Sequence, residues 1–129
     1  MRVLALDHGT VRTGVAVCDE TGTLARPLCV LDRVDSDAGF GSLLELIADQ
    51  RPARVVVGLP VSLDGREHLQ AQRARAFAER LAAAVELPVK LYDERFTSKL
   101  ADQRGGKAAR DARAAATLLE DYLRSISDE

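Results

Sequence analysis

Residues 2–31 read RVLALDHGTVRTGVAVCDETGTLARPLCVL, and three short apolar or β-branched runs stand out in them: Arg2 to Asp7, Thr13 to Asp19 and Leu24 to Leu31. The first gap contains Gly9 and the second is Asp19-Glu20-Thr21-Gly22. Short runs bounded by such turn formers predict three consecutive strands, an antiparallel meander. Pro27 cannot donate to a ladder, so it assigns the third strand to an edge or a bulge.

Working outward, the period changes. Phe40, Leu43, Leu44 and Ile47 recur at helical spacing and predict an amphipathic helix that stops before Pro52. Arg54 to Leu59 is a continuous apolar run, the pattern of a strand covered on both faces, and Pro60 ends it. Asp64 and Glu67 have capping-box spacing, and Ala74, Phe77, Ala78, Leu81 and Val85 mark a second helix. Pro88 precedes a strand over Val89 to Tyr92. Ala101 to Arg110, with Gly105-Gly106, reads as a loop, and Ala115, Leu119, Tyr122, Leu123 and Ile126 form the inward stripe of a last helix. The later strands follow helical crossovers and should run parallel to a strand already in the sheet. The right-handed crossover rule then gives a mixed five-stranded sheet of order 3-2-1-4-5 with helices on both faces. This is an α/β chain in the arrangement of ribonuclease H-like folds.

With 129 residues and 47% hydrophobic content, residues 1–129 are expected to make a single domain. No apolar run approaches the roughly 18 residues of a membrane span. No membrane association and a cytoplasmic location are therefore expected, with Cys18 and Cys29 as reduced core thiols.

Chemistry enters with the acids. Asp7 closes the first strand and Asp93-Glu94 the last, so parallel strands carry both to the same carboxyl edge. Asp111 lies four residues before Ala115, on the stripe that faces the sheet near the start of the final helix. Three carboxylates at one place repel each other and resist burial unless a cation neutralises them. Hard oxygen donors suit Mg²⁺ or Mn²⁺, and no His or Cys spacing offers a zinc alternative. Such a site can activate water and stabilise the leaving oxygen of a phosphodiester. Each acid also has a plainer reading: Asp111 as a helix cap, Asp7 as a turn residue before Gly9, Asp93 and Glu94 as partners of Arg95 or Lys90. Strand alternation forbids Asp93 and Glu94 from pointing the same way if the strand runs through both.

Four ordered motifs now align: Asp7-His8-Gly9-Thr10-Val11-Arg12-Thr13-Gly14, Val57-Gly58-Leu59-Pro60 with Asp64-Gly65, Asp93-Glu94-Arg95-Phe96-Thr97-Ser98, and Asp111-Ala112-Arg113-Ala114-Ala115. In these the chain resembles, over nearly its whole length, the YqgF/RuvX family of Holliday-junction resolvase-like nucleases. The resemblance implies a ribonuclease H-like, metal-dependent nuclease associated with maturation of the small-subunit ribosomal RNA precursor, or one that acts on DNA junctions. It implies Asp7, Glu94 and Asp111 as the catalytic and metal-binding acids, with Arg12, Arg95 and Thr97 near the phosphate backbone. Ser98 stands where the family often has Thr, Arg113 where an apolar residue is common, and the stretch between Ser98 and Asp111 is short.

The formal net charge of −2 is unevenly spread: Arg95 to Arg113 holds six basic residues against two acidic ones, a local +4 that leaves −6 for the remainder. Lys107 and Arg110 in this segment join the candidate nucleic-acid contacts. The partner would be RNA or DNA, gripped through its backbone, since 4% aromatic content offers few stacking platforms. Junction resolution would further require a homodimer, with two sites related by symmetry. Two rivals remain: a non-catalytic nucleic-acid-binding module, and a phosphotransferase of the actin and sugar-kinase type, which closes two lobes where this length supplies one. His8 is expected to be turned away from Asp7 or to face solvent, and His68 carries no signal.

Overall fold

The apolar runs become strands and the periodic segments helices, in the order β1 (Val3–Asp7), β2 (Arg12–Cys18), β3 (Ala25–Asp32), α1 (Asp37–Gln50), β4 (Arg54–Leu59), α2 (Leu69–Ala84), β5 (Val89–Asp93) and α3 (Lys107–Ser127). The computed structural model describes residues 1–60, 68–93 and 107–127, with side chains in the last stretch from 110 to 126. The five strands form one sheet in the order β3-β2-β1-β4-β5. β1 is antiparallel to β2 and parallel to β4, and β4 is parallel to β5. The predicted topology is the observed one.

Strand alternation sorts the interior into two cores. Leu4, Leu6, Val15, Val17, Val55 and Val57 face Phe40, Leu43 and Ile47 of α1 and Phe77, Ala78 and Leu81 of α2. Val3, Ala5, Ala16, Cys18 and Val56 face Ala115, Leu118, Leu119, Tyr122 and Leu123 of α3. Each residue of β1 is thereby assigned to a helix by its parity alone. β3 is an edge strand, as Pro27 required, and the proline also sits at a bulge: Val15 pairs with Cys29 and Ala16 with Pro27, so Leu28 is the extra residue. Cys18 and Cys29 are free thiols, one in each core, and burial pushes the Cys29 thiol up from its ordinary pKa.

The helix starts differ from expectation. α1 begins with Ser36, whose hydroxyl accepts from the Gly39 N–H at 3.0 Å. Asp64 and Glu67 lie outside the described residues, and α2 starts at Leu69 with His68 at its N-cap and no side-chain cap bond. Lys107 to Arg110, read from the sequence as loop, are instead the opening turn of α3. Lys, Ala, Ala and Arg are strong helix formers, and after Gly106 nothing interrupts them. A missing apolar stripe there does not amount to irregular backbone.

Candidate active site

The site is built outward from one strand pair. Asp7 is the last residue of β1 and lies opposite Gly14 of β2 in the antiparallel register. Residues directly opposite point to the same face, with Cβ positions about 5 Å apart. Parity puts Asp7, Gly14 and Arg12 on the face that α3 covers, in line with Ala5 and Ala16.

Gly14 explains how an acid of α3 reaches that edge. A Cβ at residue 14 would lie 1.9 Å from the backbone carbonyl oxygen of Asp111, so α3 rests directly on the space a side chain would fill. The helix therefore brings Asp111 over the strand position facing Asp7. Asp111 is the fifth residue of α3, which removes the reading of it as the helix cap. Its Oδ2 accepts a hydrogen bond from Arg12 Nε at 2.8 Å, with both side chains about one-third exposed, 35% and 33%.

Magnitudes show what holds α3 in place. Leu118 and Leu119 are fully buried, and each contributes about 1.5–3 kcal/mol by leaving water. An ion pair this exposed contributes at most about 1 kcal/mol. Apolar packing, more than the Arg12–Asp111 pair, positions the helix.

The other acid candidates divide. Asp93 ends β5 opposite Leu59, whose side chain packs with Ala71 and Ala74 of α2, so Asp93 belongs to the face away from α3. Glu94, Arg95 and Thr97 lie outside the described residues. Lys107 opens α3, and Arg110 is exposed one residue before Asp111. Among the described residues no group of three His, Cys, Asp or Glu side chains forms a metal cluster. The described portion contributes two half-buried carboxylates, Asp7 and Asp111, whose hard oxygen donors match Mg²⁺ or Mn²⁺ in type.

His8 faces the opposite way, as alternation requires. Its ring is 3% exposed, stacks on Phe77 with centroids 4.7 Å apart, and places Nε2 3.0 Å from Asp35 Oδ2. Arg80 extends this cluster, donating to the Asp35 carbonyl at 3.0 Å and lying 3.9 Å above the centre of the Phe40 ring. The cluster clamps the chain immediately after Asp7 to α1 and α2. Sequence reasoning missed it because Asp35 and Phe77 carry no motif. It also missed the Arg12–Asp111 pair, although the shared parity of Asp7 and Arg12 was available as a signal.

Residues 1–125 match the family model described as RuvX: Holliday junction resolvase. A protein named "Putative pre-16S rRNA nuclease" from Maridesulfovibrio salexigens is 39% identical over 132 residues, covering 95% of this chain and 98% of its own length. A relative of the same name from Bordetella parapertussis is 41% identical over 125 residues, covering 96% of this chain and 94% of its own. Among solved structures, T. thermophilus RuvC in complex with Holliday junction substrate is similar with a TM-score of 0.56 at 20% identity, covering 98% of this chain and 96% of that one. This likeness is one of fold, ribonuclease H-like.

Proposed function

The chain belongs to the RuvX family, and from that premise we propose that it is a divalent-cation-dependent nuclease, a single domain acting in the cytoplasm on the precursor of small-subunit ribosomal RNA. The observation that carries this is the convergence of Asp7 and Asp111 on one face of the sheet, brought about by α3 resting on Gly14. Two half-buried carboxylates on one face carry more negative charge than Arg12 alone neutralises, and their hard oxygen donors suit a divalent cation.

Asp7 and Asp111 would hold the cation with Glu94 as third acid. Support for Glu94 over its neighbour is by elimination, since Asp93 belongs to the α2 side of the sheet. Such a cation would lower the pKa of an attacking water and stabilise charge at the leaving oxygen. The chain's own residues do the rest. Arg95, Thr97, Lys107 and Arg110 would grip the phosphate backbone, with Arg12 close to the acids. Contacts of this kind orient a strand without reading its bases, so selection among RNAs would rest on shape and on where the strand ends or folds.

The test uses the purified chain with Mg²⁺ or Mn²⁺ and three labelled substrates: ribosomal RNA precursor fragments, single-stranded DNA and a four-way DNA junction. Cleavage of the RNA is expected, with Asp7→Asn lowering kcat/KM by at least about a hundredfold, since the lost contact acts on the transition state. Cleavage that persists in Asp7→Asn, or in chelator, overturns the mechanism. Preference for the junction would turn the assignment toward DNA resolution, the activity in the family's description.

A further inference from the structure

Arg12 stands between two roles. Its guanidinium bonds Asp111 at 2.8 Å, yet neither side chain is sealed from solvent and the packing of α3 does not depend on the pair. A carboxylate oxygen in contact with a guanidinium N–H has lost a lone pair that a divalent cation would use. Two cations also repel each other at contact distance. We propose that Arg12 is the resident counter-ion of Asp111, in direct competition with the divalent cation, and that cation binding turns Arg12 out to take a phosphate of the nucleic acid.

This rests on the nuclease reading above and goes beyond it by coupling two events. Without cation, Arg12 neutralises Asp111 and keeps a cluster of acids from repelling itself apart. With cation, the same guanidinium is released at the edge where substrate arrives, on the same strand face as Asp7. A planar guanidinium suits both partners, because carboxylate and phosphate present the same paired-oxygen geometry. Its flexible stem gives the reach for either. The chain would then grip the backbone at this point only once the cation is in place, and bound nucleic acid would in turn tighten the hold on the cation.

The experiment is calorimetric titration of the full chain with Mn²⁺ alone, so that no activity is needed. Arg12→Met should bind Mn²⁺ about fivefold more tightly than the wild type, the measure of a competing ion pair this exposed, while melting at a lower temperature in chelator. Arg12→Lys, which keeps the charge, should stay within about twofold of the wild type. Should Arg12→Met fail to fold, Arg12→Gln provides the same comparison. A purely structural Arg12 would lower the melting temperature and leave Mn²⁺ affinity unchanged or weaker, and that result overturns the proposal. If instead the wild type shows no Mn²⁺ binding that Asp7→Asn removes, the nuclease reading fails first and this inference with it. A second readout is binding of a non-cleaved duplex: Mn²⁺ should strengthen it more in the wild type than in Arg12→Met, and equal strengthening counts against the exchange.

Discussion

A single missing Cβ sets how near α3 comes to the sheet. At Gly14 any side chain meets the Asp111 carbonyl at 1.9 Å, a backbone atom that cannot swing aside, so Gly14→Ala must push the helix and Asp111 off β2. The expected cost is about 1–3 kcal/mol in urea unfolding, with loss of nuclease turnover in the same variant. Gly41 is the internal comparison. It lies within α1, where an added methyl would meet nothing within 4 Å, so Gly41→Ala should stabilise by about 0.5–1 kcal/mol and leave turnover alone. If the two substitutions behave alike, the close approach at Gly14 is not what positions the acid. At this scale the sequence announces Asp7 and Asp111, one by closing a strand and the other by sitting on a helical stripe. It does not announce the Arg12–Asp111 bond, whose partners are 99 residues apart and meet only through the docking of α3.

Whole elements were legible wherever a period persists for several residues. β4 is Arg54–Leu59, as its apolar run predicts, and of the predicted α1 stripe Phe40, Leu43 and Ile47 are buried while Leu44 is half-buried. Ends were less legible, because they depend on a few local bonds. The turn after β2 illustrates this: Asp19 Oδ1 accepts from Thr21 Oγ1 at 2.7 Å and from the Thr23 N–H at 3.2 Å, bonds that hold its carboxyl below the usual carboxylate pKa. At α2 the corresponding bond is missing. His68 has the extended backbone of an N-cap, φ −87° and ψ −175°, but its side chain satisfies none of the helix's opening N–H groups. His68→Asp supplies a short acceptor and a negative charge at the positive end of the helix dipole. It should stabilise the chain by about 1 kcal/mol, read as a shift of the urea midpoint with unchanged slope, whereas no shift would mean that those N–H groups are already satisfied by other means.

Across the whole molecule the sheet separates the proposed site from a supporting cluster. One face carries Asp7 and Arg12 beneath α3, which brings Asp111 to them, while the other carries His8, clamped by Asp35 and Phe77. This division was readable in outline, because alternation through β1 sends residues 7 and 8 to opposite sides and crossover handedness fixes where the helices lie. Charge adds a second division. A chain of net −2 repels a polyanion on average, so the stretch between Arg95 and Arg113, where the local charge is +4, is the candidate for most of the grip, with Arg12 beside it. Lys107 and Arg110 belong to the opening turn of α3, four residues and one residue before Asp111, so they ride on the element that also carries a proposed acid of the site. If both contact phosphates, Lys107→Ala with Arg110→Ala should weaken duplex binding and flatten the slope of log K against log salt by about 1.8, or about 1.4 for a single strand. Cation affinity measured without nucleic acid should hold or rise slightly, since both lost positive charges lie within about one helical turn of Asp111 and would otherwise repel the cation. An unchanged salt slope would mean that these two side chains face bulk solvent in the complex and that the phosphate grip comes from elsewhere in the basic stretch.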